Sequence, residues 1–193
     1  MNLSADVKAR AWDCPELGLS SAFALSMTIA ISSSAMAHGA APKKIAEKIE
    51  IAAKPEVVWA IISDFAKISD WNPAVVRSVA ASDEVQGKER VLTLKGGGTI
   101  TDAQTDYDAA KMTYSYRRVD DDVKVFPVSF YSATIIVKPT PTGSEVDWTG
   151  GFYRADTSNE PPPGLDDDTA IKVMTDFFET GLNELKARAE KKM

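Results

Sequence analysis

DDDTAIKVMTDFFETGLNELKARAE, residues 166–190, is the stretch that decides the fold of this chain. Its apolar side chains recur at steps of three and four, the spacing of one helix face: Ile171, Met174, Phe178, Leu182, Leu185 and Ala189. The leading aspartates put negative charge at the positive end of the helix dipole. We predict one helix of about 25 residues, roughly 37 Å long. Such a helix needs a broad apolar surface to cover its face.

The segments before this helix are predicted to be strands, and a sheet of these strands could supply that apolar surface. They are short and rich in β-branched or aromatic residues: residues 75–81, 89–94, 99–107, 111–119, 130–138 and 144–153. Turn signals such as Gly96-Gly97-Gly98 separate them. Connections this short imply antiparallel neighbours.

The chain upstream adds a strand and two short helices. Residues 45–53 alternate in polarity, and Pro55 then stands at a plausible first helical position. A second short helix is predicted at residues 66–70 and is ended by Pro73. The whole order predicts an α+β fold, a curved antiparallel sheet of about seven strands around a long C-terminal helix.

The N-terminus reads as a secretory signal peptide. Lys8 and Arg10 precede an uncharged stretch at residues 17–31, and Ser34-Ala35-Met36-Ala37 offers small residues for cleavage after Ala37. We therefore expect a signal peptide at residues 1–37, a flexible mature N-terminus at 38–44 and one domain at 45–193, located in the periplasm. A disordered or amphipathic tail is the alternative. The apolar stretch is short for a membrane span, so we expect none in the mature form.

Charge and residue usage exclude several classes of function. The net charge of −6 disfavours nucleic acid and anionic membranes as partners. Cleavage would remove Cys14, the only cysteine, and leave His38, the only histidine, as the first residue. Catalysis by Ser-His-Asp or Cys-His is then excluded, and a lone histidine is a poor copper site. The aspartate runs 120–122 and 166–168 lack calcium-loop spacing, so we predict neither metal nor cofactor.

Several motifs resemble a known superfamily. PEVVW (55–59) after the first strand, WNP (71–73) after the short helices and the long last helix are similar to START-like, Bet v 1-like and polyketide-cyclase-like proteins. The second half resembles the MxaD-type periplasmic proteins encoded among methanol-oxidation genes, through KMTYSY (111–116), FPV (126–128), GFYR (151–154) and PPP (161–163). The resemblance implies a helix-grip fold. It also implies an accessory role with methanol dehydrogenase and its c-type cytochrome, without established catalytic residues.

Two groups of residues are candidate sites. Helix-grip folds tend to leave a cavity between helix and sheet, and strand alternation places a mainly aromatic set around it: Trp59, Tyr114, Tyr116, Arg118, Tyr131, Trp148, Phe152 and Phe178. Arg118 or Arg154 could hold an anion there. Interface-type residues near the motifs form a candidate partner site: Trp71, Asn72, Tyr153 and Arg154. The alternative is that the aromatics are simply core and that Trp71 caps it.

Three functional hypotheses follow. The first is a non-enzymatic periplasmic accessory protein of methanol dehydrogenase. The second is a carrier or sensor of a small hydrophobic ligand in the helix-grip cavity. The third is a polyketide cyclase or dehydratase, for which Asp102, Tyr114 and Tyr116 are the acids or bases nearest a cavity.

Overall fold

The computed structural model describes residues 39–82, 88–120 and 122–191. The predicted signal peptide, Cys14 and His38 lie outside these described residues. Cleavage after Ala37 therefore stays a prediction.

Seven strands form one antiparallel sheet in the described part of the chain. They are β1 (Lys43–Ile51), β2 (Val75–Ser82), β3 (Glu89–Leu94), β4 (Thr99–Asp108), β5 (Thr113–Arg118), β6 (Val128–Thr140) and β7 (Gly143–Arg154). Their order across the sheet is β1-β7-β6-β5-β4-β3-β2. Each strand from β2 to β7 pairs with the next one along the chain, as short connections require, and β1 joins β7 at the far edge. The predicted antiparallel sheet is confirmed.

Two short helices carry the chain from β1 at one edge to β2 at the other. Helix α1 (Pro55–Ile62) has proline at its start and Glu56 in its first turn, and it buries Val58 and Ile62. The predicted second helix is a 3-10 helix (Phe65–Asp70), and the Asp64 side chain accepts a hydrogen bond from the Ala66 N–H at 3.1 Å. Both helices pack their apolar residues onto the core.

The bounds of every strand except β3 differ from the sequence prediction by one or two residues, and two of these differences change the local structure. β1 begins at Lys43 instead of residue 45, so Lys43 and Lys44, which were predicted to belong to the segment 38–44, pair with β7. β5 begins at Thr113 instead of residue 111. The Lys111 N–H donates to the Asp108 carboxylate at 3.0 Å, and Met112 has a φ of 52°. Residues 109–112 therefore form a turn, although residues 111 and 112 were predicted to begin a strand.

The C-terminal helix α2 (Asp167–Lys191) has the predicted length and apolar face. Its buried residues follow the helical period: Ala170, Met174, Phe177, Phe178, Gly181, Leu182, Leu185 and Ala189. The Asp166 carboxylate accepts from the Thr169 N–H at 2.8 Å and caps the helix start. None of the described helices is both long and apolar enough to cross a membrane. The helix packs on β1 and β7, which closes the core.

The WNP motif meets α2 at its one buried glycine. Asn72 is fully buried, and its side chain donates to the Phe177 carbonyl at 3.2 Å and accepts from the Ala74 N–H at 3.0 Å. A Cβ atom on Gly181 would lie 2.8 Å from Asn72 Nδ2 and 3.0 Å from a ring carbon of Trp148. Gly181 therefore permits the close approach of α2 to the Asn72 segment.

We expect Gly181→Ala to destabilise the fold by about 1 to 3 kcal/mol, the usual effect of overpacking a core. Alanine is normally the better helix former by about 1 kcal/mol, so the sign of the change is diagnostic. Urea unfolding of the two proteins measures it. Asn183→Ala, an exposed position on the same helix, is the control and should not destabilise. Stabilisation by Gly181→Ala would show that the contact is not tight.

Candidate functional site

The inner face of the sheet carries most of the predicted cavity residues. Antiparallel register pairs Tyr114 with Ile135, Tyr116 with Ala133, and Ile135 in turn with Trp148, so these side chains share one face. Of the eight residues predicted, seven are buried in the core between sheet and helix: Tyr114, Tyr116, Arg118, Tyr131, Trp148, Phe152 and Phe178. Trp59 is half-buried at its margin. The structure therefore brings the predicted set together.

Stacked rings fill the middle of this interior. Trp148 lies nearly parallel to Phe178, with 4.1 Å between ring centroids, and the Trp71 ring packs against the Trp148 ring at 5.4 Å. Gly150 makes room for the stack, since a Cβ there would stand 3.1 Å from the Phe178 ring. Trp148 and Phe178 are therefore core residues, as the alternative interpretation of the aromatic set predicts.

A chain of polar groups runs through these rings. The Tyr116 and Tyr131 hydroxyl groups lie 2.6 Å apart, and the Trp148 indole N–H donates to the Tyr116 oxygen at 3.2 Å. Burial raises the pKa of Tyr114 to about 12, and the Arg90 guanidinium opposes the rise. Burial also raises the pKa values of Tyr116 and Tyr131. All three hydroxyl groups are therefore neutral near pH 7, able to donate hydrogen bonds but not to act as bases.

A buried ion pair, Arg90 with Asp102, stands next to this chain. Each residue is 1% exposed, and Arg90 Nε and Nη2 donate to Asp102 Oδ2 at 3.1 and 2.9 Å. Arg90 Nη1 donates to the Phe65 carbonyl at 2.9 Å, and the guanidinium lies over the rings of Phe65 and Tyr116, 3.9 and 4.8 Å from their centroids. The guanidinium is thus held on its edge and on its faces.

The second carboxylate oxygen of Asp102 differs from the hydrogen-bonded atoms of this ion pair. Asp102 Oδ1 is buried and has no hydrogen-bond partner among the described residues. Burial raises the pKa of the Asp102 carboxyl, while the charge of Arg90 opposes that rise. A buried acceptor without a partner calls for a functional or structural explanation.

Sequence reasoning found Asp102 but missed Arg90. The signal was present, because Arg90, Leu92 and Leu94 alternate along β3 and so share the apolar face. An arginine at the start of a short strand normally points to water, and only the pairing of Arg90 with Asp102 in the β3–β4 register reveals its partner.

The other predicted arginines have structural partners. Arg118 donates to the carbonyl groups of Phe126, Val128 and Asp122 and to the Asp120 carboxylate, which holds the β5–β6 connection. Arg154 donates to the carbonyl groups of Asp156 and Ser158 and to the Asp167 carboxylate, at 2.7, 2.6 and 3.3 Å. Neither side chain is free to hold an anion in this conformation.

The candidate partner residues do not form one surface. Trp71, Asn72 and Arg154 are all buried, which places them out of reach of a partner protein in this conformation. Tyr153 is half-buried on the outer face of the sheet, where its ring packs edge-on against Phe130 at 5.9 Å. Of the four residues, only Tyr153 presents a side chain outward.

Half-exposed aromatic rings lead from the surface to the ion pair. Tyr107, 47% exposed, lies 5.7 Å from the Trp59 ring, and Trp59 lies 6.2 Å from the Tyr114 ring. Tyr114 in turn packs on Phe65, which stacks on Arg90. Trp59 of α1 and Tyr107 of β4 are therefore the members of this aromatic path nearest to solvent.

We expect Asp102→Ala to lower the free energy of unfolding by about 3 to 5 kcal/mol, because it leaves the Arg90 charge buried without its partner. The double variant Arg90→Met with Asp102→Leu should lose much less, since it removes both charges. Chemical denaturation of the single and double variants measures the difference. The control Asp176→Ala, which breaks an exposed helix pair with Lys172, should change stability by less than about 1 kcal/mol. A double variant as unstable as the single one would contradict the prediction.

The curved antiparallel sheet, the long packed helix and the aromatic interior together define a helix-grip protein. The family model described as "Polyketide cyclase / dehydrase and lipid transport" matches residues 42–190, and the chain belongs to this family. No protein of curated function matches significantly.

Solved structures share the fold. The protein XoxI from Bacillus cereus is 25% identical, with a TM-score of 0.61 over 77% of this chain and 94% of that one. A putative uncharacterized protein from Bacillus thuringiensis is 26% identical, with a TM-score of 0.61 over 77% and 98% of the two chains. Zhui aromatase/cyclase from a Streptomyces species is 18% identical, with a TM-score of 0.61 over 78% and 95%, a likeness of fold alone.

Proposed function

We propose that this chain binds a small, mainly aromatic molecule between its sheet and α2, and that the Arg90–Asp102 pair recognises a hydroxyl group on it. The observation that carries the proposal is the buried oxygen Asp102 Oδ1, which lacks a partner in the described part of the chain. A ligand hydroxyl that donates to this oxygen would complete its hydrogen bonding. The surrounding rings supply the apolar contact that small-molecule sites generally have.

The energetic cost of burying the ion pair favours a role in ligand binding over a role in stability alone. Taking two charges out of water is expensive, and apolar residues of similar size often stabilise a core as well or better. The Arg90–Asp102 pair has its charges fixed by Phe65 and Tyr116 before any ligand arrives. A preformed carboxylate binds a hydroxyl more strongly than a neutral acceptor does. The pair is therefore suited to selecting ligands by their donor groups.

Entry of a ligand requires some rings to move. The interior side chains are in mutual contact, whereas Trp59 and Tyr107 are the least buried members of the aromatic path. Rotation of these two side chains would expose Tyr114 and the ion pair behind it. Exposed side chains change rotamer on the fastest timescales of side-chain motion, so this is the easiest route inward.

The test compares 2-naphthol with 2-methoxynaphthalene, which has the same rings but no hydroxyl hydrogen. We expect 2-naphthol to bind about tenfold more tightly by titration calorimetry, a difference of about 1.4 kcal/mol. Asp102→Asn should reduce this preference because it removes the charged acceptor. Asp176→Asn, the same change on the exposed face of α2, should leave it intact. Equal affinity for both compounds, or no binding of either, would refute the proposal.

A second candidate is catalysis of a cyclisation or dehydration. Asp102 favours it, since a carboxyl with a burial-raised pKa and one unpartnered oxygen is suited to proton transfer. In this reading Asp102 removes a proton next to a substrate carbonyl, and the Tyr114 hydroxyl donates to the developing oxygen anion. Turnover of a poly-β-ketone substrate by the unaltered protein would support this hypothesis if the Asp102→Asn or the Tyr114→Phe variant abolishes that turnover.

The accessory role with methanol dehydrogenase and its c-type cytochrome, in the periplasm, stays a separate prediction. Its support is the resemblance of the sequence motifs to MxaD-type proteins. Methanol-dependent cytochrome reduction, measured with and without this protein, tests it directly. A salt-sensitive, stoichiometric acceleration is the expected result, and an unchanged rate would remove the support.

A further inference from the structure

Phe130 is placed in solvent by an unfavourable backbone conformation. Its φ is 49°, a region that favours glycine, and its ring is 70% exposed. The residue lies in β6 where the register with β7 shifts between Ser129 and Ser132. Backbone strain in a bulge next to an exposed aromatic ring is typical of functional surfaces. Burial of the ring in the core does not offset this strain.

Phe130 and Tyr153 together form the end wall of a groove on the outer face of the sheet. The two rings meet edge to face, with an interplanar angle of 79°. The space beside them, about 500 Å³, is also bordered by Lys44, Ser132 and Gly151. These three residues border a second, adjoining space of about 750 Å³ as well. The two spaces are therefore parts of one groove.

The floor of the groove is a row of residues across four strands. Lys44 of β1 pairs with Gly151 of β7, Gly151 with Ser132 of β6, and Ser132 with Arg117 of β5. The strands of Lys44 and Arg117 are three spacings, roughly 14 Å, apart. Between Lys44 and Arg117 this row contains Gly151, which has no side chain, and Ser132, whose side chain is small. The floor can therefore accept an extended chain that lies across the strands.

Three charged residues line the groove, Lys43, Lys44 and Arg117, and all are cations. Lys43 pairs with Asp167 at 2.9 Å. Lys44 and Arg117, at the two ends of the floor, are exposed, and neither pairs with a carboxylate in the described part of the chain. Their field acts over a Debye length of about 8 Å at physiological salt, so it governs what enters the groove. The complementary occupant carries negative charge at both ends of the floor.

We propose that this groove docks an extended acidic polypeptide segment of a partner protein, with an apolar side chain of that segment against Phe130 and Tyr153. A narrow segment contacts mainly the local cations. An anionic bilayer would instead face the whole molecule, whose net charge of −6 opposes its approach. The exposed aromatic pair provides the kind of apolar anchor that concentrates binding energy at interfaces.

The test measures fluorescence anisotropy of a labelled peptide of alternating glutamate and leucine, titrated with the full chain. We expect saturable binding that weakens as salt is raised. Phe130→Gly should weaken it about tenfold or more, while thermal stability is kept or raised because glycine adopts this φ freely. Val76→Ser, which removes an exposed apolar side chain on the opposite edge strand, should leave binding unchanged.

Charge reversal at the two cations provides a second, independent test of the proposal. The double variant Lys44→Glu and Arg117→Glu should lose the glutamate peptide and gain a matched peptide of lysine and leucine. Lys95→Glu with Lys172→Glu makes the same change in net charge away from the groove and should retain the original preference. The proposal is overturned if the glutamate peptide does not bind, if the groove variants bind it unchanged, or if phosphatidylglycerol vesicles bind and the peptide does not.

Discussion

The contact between Trp148 of β7 and Phe178 of α2 is the constraint on which the remaining structure depends. The two rings stack almost in parallel, at 7°, and can do so because Gly150 leaves the space that Phe178 fills. Gly181, one turn further along α2, lets the helix approach Asn72 and the Trp148 ring. The position of α2 in turn closes the interior in which Arg90 and the tyrosines are buried.

Burial then determines the chemistry of that interior. With water excluded, Arg90 and Asp102 interact more strongly than they would at the surface, and the tyrosine hydroxyls stay neutral. The same exclusion makes an unpartnered carboxylate oxygen expensive, as at Asp102 Oδ1. The rings that enclose the ion pair therefore also orient it.

The two faces of the sheet carry different residues because alternate side chains of each strand point in opposite directions. In β5, Tyr116 and Arg118 face the core, while Arg117 between them faces the outer groove. The bulge in β6 interrupts this alternation and turns Phe130 outward beside Tyr153. The proposed interior site and the proposed outer groove are therefore lined by alternate residues of the same strands.

The sequence by itself determined the elements and much of the inner face. The period of α2, the turn at Gly96-Gly97-Gly98 and the short strand spacing depend on local backbone and side-chain preferences, which one stretch of chain contains. Strand alternation similarly indicated that Tyr114, Tyr116 and Trp148 lie inward. The resemblance of the WNP motif indicated the superfamily, but not which residues the Trp71 and Asn72 side chains contact.

Only the tertiary structure decided which residues form the sites. The pairing of Arg90 with Asp102 depends on the β3–β4 register, and the groove depends on the register of four strands at once. The same packing buried Trp71 and Asn72 and engaged Arg118 and Arg154 with backbone carbonyls, so residues that looked suited to partners became structural. Such outcomes depend on contacts between residues far apart in the chain, and a pattern read along one segment does not contain them.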